Sequence, residues 1–343
     1  PEGLAAVVTI VLSIGVQRMV KANTVVRKLP SVETLGAVSV VCSDKTGTLT
    51  QNKMTILEAY TDNKYFVEKD FNKNSDNKDL ALLAKGMSLC SNATVDEGLF
   101  GDPTEIALVA FANEFDMHKK DIEKALPRIN ELPFDSVRKM MSTQHKSEEG
   151  IKNFTKGALD SILKHTTKIL DNGEVRLITQ KDIDDIYNAN FTFSNKALRV
   201  LALAYNEKNN LEEEDLIFVG LVAMIDPARP EAKPAVAKFK GAGITTVMIT
   251  GDHKDTAFAI AKDLGIASDI SQCMMGSDVD NMNEEELQNA CKTVRVFARV
   301  SPENKVQIVK AFEANGNICA MTGDGVNDAP SLKAANIGIA MGI

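Results

Sequence analysis

The sequence has no tryptophan, and aromatic residues make up only 5% of its 343 residues. So little aromatic surface argues against a sugar-binding face and against a platform on which nucleic-acid bases stack. The formal net charge of −8 points the same way, because a general nucleic-acid binder needs a basic face toward the phosphate backbone. We therefore expect no nucleic-acid partner.

Cysteines are few, and they form neither a CxxC pair nor a cluster with histidine. An odd, irregularly spaced set is typical of reduced cytoplasmic thiols rather than of a disulfide framework or a zinc site. The five residues are Cys42, Cys90, Cys273, Cys291 and Cys319. The chain also lacks a secretory signal, internal repeats and low-complexity segments, and its length predicts two or three globular domains.

No uncharged run reaches the length of a complete membrane span. The stretch Leu4–Val16 contains thirteen uncharged residues, and as a helix it would extend roughly 20 Å, short of a bilayer core. One interpretation is a helix packed in a core or against a partner. The other is half of a transmembrane helix, truncated near Pro1, with the basic residues that follow it on the cytoplasmic side. The absence of an initiating methionine favours truncation.

Short apolar runs that stop at Gly, Asp or Thr recur toward the two ends of the chain. Such continuous runs suit strands buried on both faces. Helical patterns alternate with them, which predicts a doubly wound parallel sheet whose ligands bind at the carboxyl ends of its strands. The predicted strands are 37–42, 245–249, 294–300, 318–321 and 337–341, and the predicted helices are 254–264, 302–314 and 329–335.

The pattern changes between residues 54 and 225, where polar loops separate individual helices and strand-like runs. The helices are predicted at 79–90 and 104–114, and strands at 216–224 and in part of 193–205. This arrangement indicates an α+β domain inserted into the α/β domain.

The stretch Ser43–Thr50, SDKTGTLT, places a carboxylate at the end of a predicted buried strand, before a Gly/Thr turn. Alone, Asp44 would usually be a turn or helix-cap residue. In this position it can also be a nucleophile toward a phosphoryl group held by backbone N–H groups.

Other strand ends and one helix supply what phosphoryl transfer needs besides a nucleophile. Thr250 offers a hydroxyl, Lys305 an ammonium on the first turns of a helix, and Asp324 and Asp328 an acid pair around a glycine turn. Phosphoryl transfer uses such a cation, hydrogen-bond donors and carboxylates that bind Mg²⁺. Clustered carboxylates repel one another unless a metal and a lysine compensate their charge.

Two long motifs carry a family resemblance. SDKTGTLTQNKMT, residues 43–55, resembles the phosphorylation signature of P-type ATPases, and TGDGVNDAPSLKAANIGIAMG, residues 322–342, resembles their hinge motif. The wider pattern is similar to the haloacid-dehalogenase superfamily. The resemblance implies an α/β, doubly wound parallel-sheet (haloacid-dehalogenase-like) phosphorylation domain at 27–53 and 226–343. It further implies an inserted α+β nucleotide-binding domain on an antiparallel sheet at 54–225, and a truncated transmembrane helix and stalk at 1–26.

The same resemblance implies the roles of the site residues and the cofactors ATP and Mg²⁺. The nucleophile would attack the γ-phosphate to give an aspartyl phosphate, and Asp328 would orient Lys305. The Mg²⁺ ligands would be Asp44, the Thr46 carbonyl and Asp324. The remaining catalytic candidates hold the phosphoryl group or flank it. The full catalytic set is Asp44, Lys45, Thr46, Thr250, Gly251, Asp252, Lys305, Asn327 and Asp328.

The inserted domain resembles the family in its nucleotide contacts. Lys156-Gly157-Ala158 is similar to the adenine-pocket motif, and Phe134 to the stacking aromatic; aromatic faces stack on adenine, and Arg and Lys meet phosphates. Without the framing motifs, Phe134 would be interpreted as a core residue and Lys156 as a solvated surface lysine. The nucleotide candidates are Glu105, Phe134, Lys139, Lys156, Gly157, Arg199 and Arg299.

The transported ion is suggested by two further stretches. Pro1-Glu2-Gly3-Leu4 resembles the mid-membrane break of the fourth transmembrane helix, where Glu2 would be an ion ligand. LPSVETLG, residues 29–36, resembles the calcium-pump branch. Ca²⁺ is therefore the predicted ion, with Mn²⁺ or a monovalent cation as alternatives.

The sequence contains no TGES-type actuator loop. The resemblance thus implies that the chain's own actuator domain and transmembrane helices are partners, in a multi-pass membrane protein with this portion on the cytoplasmic side. This fragment is predicted to bind nucleotide and to phosphorylate slowly, but not to transport.

Two other functions share parts of this pattern. A soluble haloacid-dehalogenase-type phosphatase usually has a second Asp two residues after the nucleophile, where this chain has Thr46, which favours a stable phosphoenzyme. The other is a nucleotide sensor whose catalytic site is inactive. The intact set of Asp44, Lys305 and Asp324 argues against it. Neither a GxxxxGK[ST] loop nor a kinase-type HRD loop is present in the sequence.

Overall fold

A computed structural model describes residues 3–74, 76–95, 98–148 and 150–342. The chain forms two compact units. Unit 1 comprises Pro1–Asn52 and Ala228–Ile343, and unit 2 comprises Lys53–Pro227. Unit 2 is thus inserted into unit 1, and its bounds lie one or two residues from the predicted 54 and 225.

The strands, in chain order, are β1 (Val40–Asp44), β2 (Thr55–Thr61), β3 (Lys64–Val67), β4 (Arg128–Asp135), β5 (Met140–Ser147), β6 (Gly150–Gly157), β7 (Thr166–Asp171), β8 (Glu174–Leu177), β9 (Arg199–Asn206), β10 (Leu216–Ile225), β11 (Thr245–Ile249), β12 (Cys273–Met275), β13 (Val296–Ala298), β14 (Cys319–Gly323) and β15 (Ile337–Ala340). The helices are α1 (Leu4–Lys21), α2 (Pro30–Gly36), α3 (Lys78–Leu89), α4 (Pro103–Asn113), α5 (Lys119–Ala125), α6 (Leu159–Lys164), α7 (Gln180–Asn195), α8 (Ala232–Gly241), α9 (Lys254–Leu264), α10 (Gly276–Asp280), α11 (Glu284–Ala290), α12 (Pro302–Ala314) and α13 (Ala329–Ala334).

Unit 1 is built on a six-stranded sheet with the order β12-β13-β11-β1-β14-β15. All of its strand pairs are parallel. Successive side chains of β1 lie on opposite faces of the sheet. Val40 and Cys42 pack in one apolar cluster, and Val41 packs in another. Helices therefore cover both faces, and the predicted doubly wound α/β fold is confirmed.

Helix α12 begins at the residues that the sequence indicates. The Ser301 hydroxyl accepts a hydrogen bond from the Asn304 N–H at 3.1 Å, and Pro302 occupies the first helical position. A side-chain acceptor at the N-cap and a proline at the next position both favour a helix start. This start places Lys305 on the buried side of the helix, as its burial shows.

Unit 2 contains a nine-stranded sheet with the main order β3-β2-β10-β9-β6-β5-β4. These neighbours are antiparallel, which confirms the predicted antiparallel sheet, but β7 pairs with β10 in parallel. The faces of this sheet contribute to separate apolar clusters, one with α3 and α4 and the other with α6 and α7.

The prediction that part of the run 193–205 forms a strand is confirmed, and the strand takes the second half of the run. The run 193–205 begins in helix α7, where Phe193 is fully buried, and the strand begins only at Arg199. Ala197 lies between them with a φ of 56°, in the left-handed region. A residue in that region interrupts the regular backbone, so one apolar run is divided between a helix and a strand.

Helix α1 extends beyond the thirteen-residue uncharged run, to Lys21, and is 18 residues long. None of its residues is buried, so α1 is not a core helix of unit 1. By length and composition alone it could cross a membrane. Glu2, the predicted ion ligand, lies outside the described residues.

Candidate active site

The ends of three neighbouring strands bring the predicted catalytic residues to one edge of the unit 1 sheet. Asp44 is the last residue of β1 and pairs with Ile249 of β11, so Thr250 follows directly beside it. On the other side Ser43 pairs with Thr322 of β14, two residues before Asp324. Parallel strands present their carboxyl ends at the same edge, which is where ligands bind in such sheets.

Lys305 joins two of the carboxylates. Its Nζ donates hydrogen bonds to Asp44 Oδ1 and to Asp328 Oδ1, both at 2.6 Å. All three side chains are at most 10% exposed. A buried charge is costly unless it is paired, and this lysine pairs with both acids.

The protonation of these groups reflects two opposing effects. Burial raises the pKa of Asp44, and the Lys305 ammonium opposes that rise without cancelling it. Burial would lower the pKa of Lys305, but its hydrogen bonds to Asp328 and Asp44 outweigh burial, so the pKa is raised. The lysine therefore stays charged, and the nucleophile depends on it for ionisation.

One carboxylate oxygen from each of Asp44, Asp324 and Asp328 lies within 4.8 Å of the other two. Three carboxylates and one ammonium leave an excess of negative charge, which a bound cation relieves. An all-oxygen donor set suits a hard cation such as Mg²⁺. The residues present therefore fit the predicted metal.

Two glycines make room for this acid cluster. A Cβ built on Gly47 would lie 1.6 Å from Asp324 Oδ2, and one built on Gly323 would lie 2.5 Å from Asp328 Cγ. Gly47 also has a φ of 70°, a conformation that favours glycine. Any other residue at these two positions would displace a carboxylate.

The loop after Asp44 is held by an arginine that sequence reasoning missed. Arg229 donates hydrogen bonds to the Gly47 carbonyl at 2.8 Å and to the Thr50 carbonyl at 3.1 Å. The sequence motifs assigned Arg229 no role. Because its acceptors are main-chain carbonyls, no pattern of side chains predicts this contact. The only signal in the sequence was an arginine beside a Pro-rich turn.

Lys45 and Asp252 form a second ion pair at this edge. Lys45 Nζ lies 2.7 Å from Asp252 Oδ2, and the lysine side chain is buried. Thr250 Oγ1 accepts the Asp252 N–H at 3.1 Å, so the turn after β11 is internally bonded. The structure thus joins these two catalytic candidates to each other.

The other catalytic candidates are less constrained. Thr46 is half-buried in the loop after β1, and Gly251 and Asn327 are exposed. A Cβ on Gly251 would meet nothing within 4 Å, so packing does not require glycine there. These three residues lie at the same edge by their positions in the chain.

In unit 2, Lys156 and Glu105 are paired. Lys156 Nζ lies 2.6 Å from Glu105 Oε1, with side chains 8% and 17% exposed. The other Glu105 oxygen accepts the Asn92 main-chain N–H at 2.8 Å. The interpretation of Lys156 as a solvated surface lysine is therefore wrong, because strand β6 carries it into a largely buried ion pair.

Phe134 lies near the end of β4 and is 63% exposed, so its interpretation as a core residue is wrong. An exposed aromatic ring is free to stack on a flat ligand. Lys139, directly before β5, is also exposed. A Cβ on Gly157 would lie 2.4 Å from the Lys139 carbonyl oxygen, so glycine allows β6 to approach this residue closely.

The last two nucleotide candidates belong to different units. Arg199 Nη1 donates to Thr104 Oγ1 at 3.0 Å, linking β9 to the start of α4 beside Glu105. Arg299 belongs to unit 1, unlike the other candidates, and its N–H donates to the Asp252 carbonyl at 3.0 Å. Arg299 therefore lies near the catalytic candidates at the edge of the parallel sheet.

Comparison with known proteins agrees with this geometry. A family profile described as "P-type ATPase, cytoplasmic domain N" matches residues 79–231. The chain is 55% identical to "Calcium-transporting ATPase 1" of Bacillus cereus, 46% identical to "Calcium-transporting ATPase 1" of Lactococcus lactis, and 39% identical to "Calcium-transporting ATPase type 2C member 1" of Homo sapiens. Each alignment covers 100% of this chain but only 39% to 40% of the relative. The chain thus spans about two fifths of the length of these relatives.

Proposed function

This chain belongs to the P-type ATPase family, and from that premise we propose that it is the ATP-consuming, phosphate-accepting part of a membrane pump that transports Ca²⁺. The proposal is carried by one observation: Asp44 is buried against Lys305 within a cluster of three carboxylates. The names of its relatives, calcium-transporting ATPases, support the choice of ion. Mn²⁺ or a monovalent cation is the alternative.

The nucleotide would be bound by unit 2. The exposed ring of Phe134 offers a face for adenine, and the largely buried pair of Glu105 and Lys156 offers a charged acceptor and donor. Arg199 and Lys139 are exposed cations suited to the phosphates. These residues bind and orient ATP.

Asp44 then performs the chemistry. One of its carboxylate oxygens attacks the γ-phosphorus, the bond from that phosphorus to the β,γ-bridging oxygen breaks, and ADP leaves with the bonding electrons. Lys305 keeps the attacking carboxylate ionised before the step and neutralises phosphoryl oxygens during it. Asp328 holds the ammonium in place.

Mg²⁺ would be held by Asp44, the Thr46 carbonyl and Asp324, and when bound it neutralises phosphoryl oxygens as a Lewis acid. Thr250, Gly251 and Asn327 would donate hydrogen bonds to the transferred group. Lys45 and Asp252, which pair with each other, would hold the two loops on either side of it.

In the intact protein we place this chain on the cytoplasmic side of a multi-pass membrane protein. Helix α1 supports this placement, since none of its residues is buried and it is long and apolar enough to cross a membrane. The chain's own actuator domain and further transmembrane helices would be its partners. Ca²⁺-stimulated phosphoenzyme formation in membranes containing the full pump tests the ion, and stimulation by Mn²⁺ or a monovalent cation alone would contradict it.

The central test uses ATP labelled at the γ-phosphate, with Mg²⁺, on this chain. We expect acid-stable, hydroxylamine-labile label that Asp44→Asn abolishes, while Asp263→Asn, at an exposed acid of α9, leaves it unchanged. Label that survives Asp44→Asn contradicts the proposal. Rapid turnover of small phosphate esters would indicate a phosphatase, and nucleotide binding without either activity would indicate a sensor.

A further inference from the structure

The turn between β4 and β5 carries Phe134 at one end and Lys139 at the other. Asp135 closes this turn: its side chain accepts the N–H groups of Val137 and Arg138, both at 2.9 Å. Its carbonyl accepts the Lys139 N–H at 2.7 Å. These bonds define the shape of the turn, but they do not attach the turn to the rest of unit 2.

The Lys139 carbonyl accepts the Ala158 N–H at 3.0 Å, and Arg138 adds a side-chain attachment. Its Nη2 donates to the Pro133 carbonyl at 2.6 Å, directly before Phe134, and its Nη1 donates to Glu213 Oε1. The same Glu213 oxygen accepts the Ser142 hydroxyl at 2.7 Å. The Glu213 side chain is only 12% exposed. A mostly buried carboxylate with two donors is a stronger tie than an exposed surface ion pair.

Glu213 lies on the loop between β9 and β10, and buried amides hold this loop rigid. Asn206 Nδ2 donates to the carbonyls of Glu212 at 2.8 Å and Glu214 at 3.1 Å, on either side of Glu213. Asn153 Nδ2 in turn donates to Asn206 Oδ1 at 2.8 Å. Both amides are at most 2% exposed. Glu213 is therefore presented from a fixed support.

From this chain of contacts we propose that Glu213 is a positioning residue for the nucleotide site: through Arg138 it fixes the turn that carries Phe134 and Lys139. The inference rests on the proposed function, since it assumes that these two residues bind ATP. Its physical reason is preorganisation. A turn already held in its binding conformation loses less conformational freedom when the ligand binds.

The test compares Mg-ATP binding by calorimetry among the parent chain, Glu213→Gln, Arg138→Gln and the double variant. We expect each single variant to raise the Kd for ATP about three- to tenfold, and the double variant to raise it no further, because both act through one contact. Arg138→Lys, which keeps the charge but cannot reach both partners, should lie in between. The control is Glu212→Gln in the same loop, whose carboxylate is half-exposed and lies 3.4 Å from Lys208.

A second measurement separates positioning from a general structural role. Amide hydrogen exchange should accelerate at residues 137–139 in both single variants and stay unchanged in the control. A lowered Tm with the parent's Kd, or singles whose effects add fully in the double variant, would overturn the inference. Should Glu213→Gln not fold, Arg138→Gln decides by the same criteria. A parent chain that binds no ATP overturns the proposed function and this inference together, whereas parent-like binding in the variants overturns the inference alone.

Discussion

At the scale of single residues, the main feature of the site is the balance between its carboxylates and one lysine. Lys305 compensates Asp44 and Asp328 at once, and the third carboxylate, Asp324, fits against Gly47. The motifs around Asp44 and Asp324 predicted this group from the sequence, because carboxylates, a lysine and Gly turns leave a pattern of side chains. Arg229 could not be predicted in the same way, since its role is defined by main-chain carbonyls.

Gly47→Ala should abolish most phosphorylation of Asp44. The new Cβ would lie 1.6 Å from Asp324 Oδ2, so Asp324 must move, and the φ of 70° adds backbone strain of about 1 kcal/mol. We expect the rate of phosphoenzyme formation to fall by at least about 100-fold. Gly241→Ala is the matched control, because its Cβ meets nothing within 4 Å. Normal labelling of Gly47→Ala would show that Asp324 is not needed where it lies.

At the scale of elements, the apolar pattern predicts some strands and misses others. Helices α9 and α12 and strand β11 have the predicted bounds, since they combine a regular apolar pattern with clear end signals. Strand β5 was missed because most of its buried positions are polar: Ser142, Thr143, Gln144 and His145 are each at most 5% exposed. Polar residues that satisfy one another inside a sheet give no hydrophobic periodicity.

His145 of β5 makes the stability of unit 2 sensitive to acid. Its ring nitrogens bond the Leu126 carbonyl at 2.9 Å and Thr143 Oγ1 at 3.0 Å, and burial lowers its pKa to about 4. Between pH 6.5 and 4 the unfolded chain therefore binds a proton that the folded chain does not. The free energy of unfolding should fall as the pH falls through this window, by up to about 3 kcal/mol from this residue.

Denaturant unfolding between pH 4 and 7 measures this dependence. His145→Gln should flatten it, at a lower stability near neutral pH, while His253→Gln, at an exposed histidine of unit 1, should leave it unchanged. An equally steep pH dependence in His145→Gln would contradict the assignment.

At the scale of the whole molecule, the insertion was predictable because the chain changes its pattern twice, near residues 53 and 226. The two ends of unit 2 are adjacent: Thr55 pairs with Ile225, and the Lys53 N–H donates to Asp226 Oδ1 at 3.1 Å. Unit 2 has its own apolar clusters on both faces of its sheet. Its parallel contact between β7 and β10 was not predictable, because the register of distant strands depends on packing that no local pattern contains.

Residues 53–227, produced alone, should therefore fold cooperatively and retain the ATP affinity of the whole chain within about twofold. Thermal unfolding followed by circular dichroism and calorimetric titration with ATP measure the two properties. The matched sample is unit 1 with a short linker in place of unit 2, which should fold without binding ATP at this affinity. An unfolded or aggregated 53–227 fragment would show that unit 2 depends on its host.

The adjacent ends of unit 2 also matter for how unit 1 folds during synthesis. Strand β1 lies between β11 and β14, both made long after it, so the first segment of unit 1 leaves the ribosome without neighbours. Bringing the two segments of unit 1 together across an unfolded unit 2 would close a long flexible loop, which costs entropy. Once unit 2 has folded, residues 53 and 226 are already close together, so this entropic cost is smaller. Unit 1 is therefore begun before unit 2 and completed after it. The folded unit 2 holds the ends of the two segments of unit 1 close together.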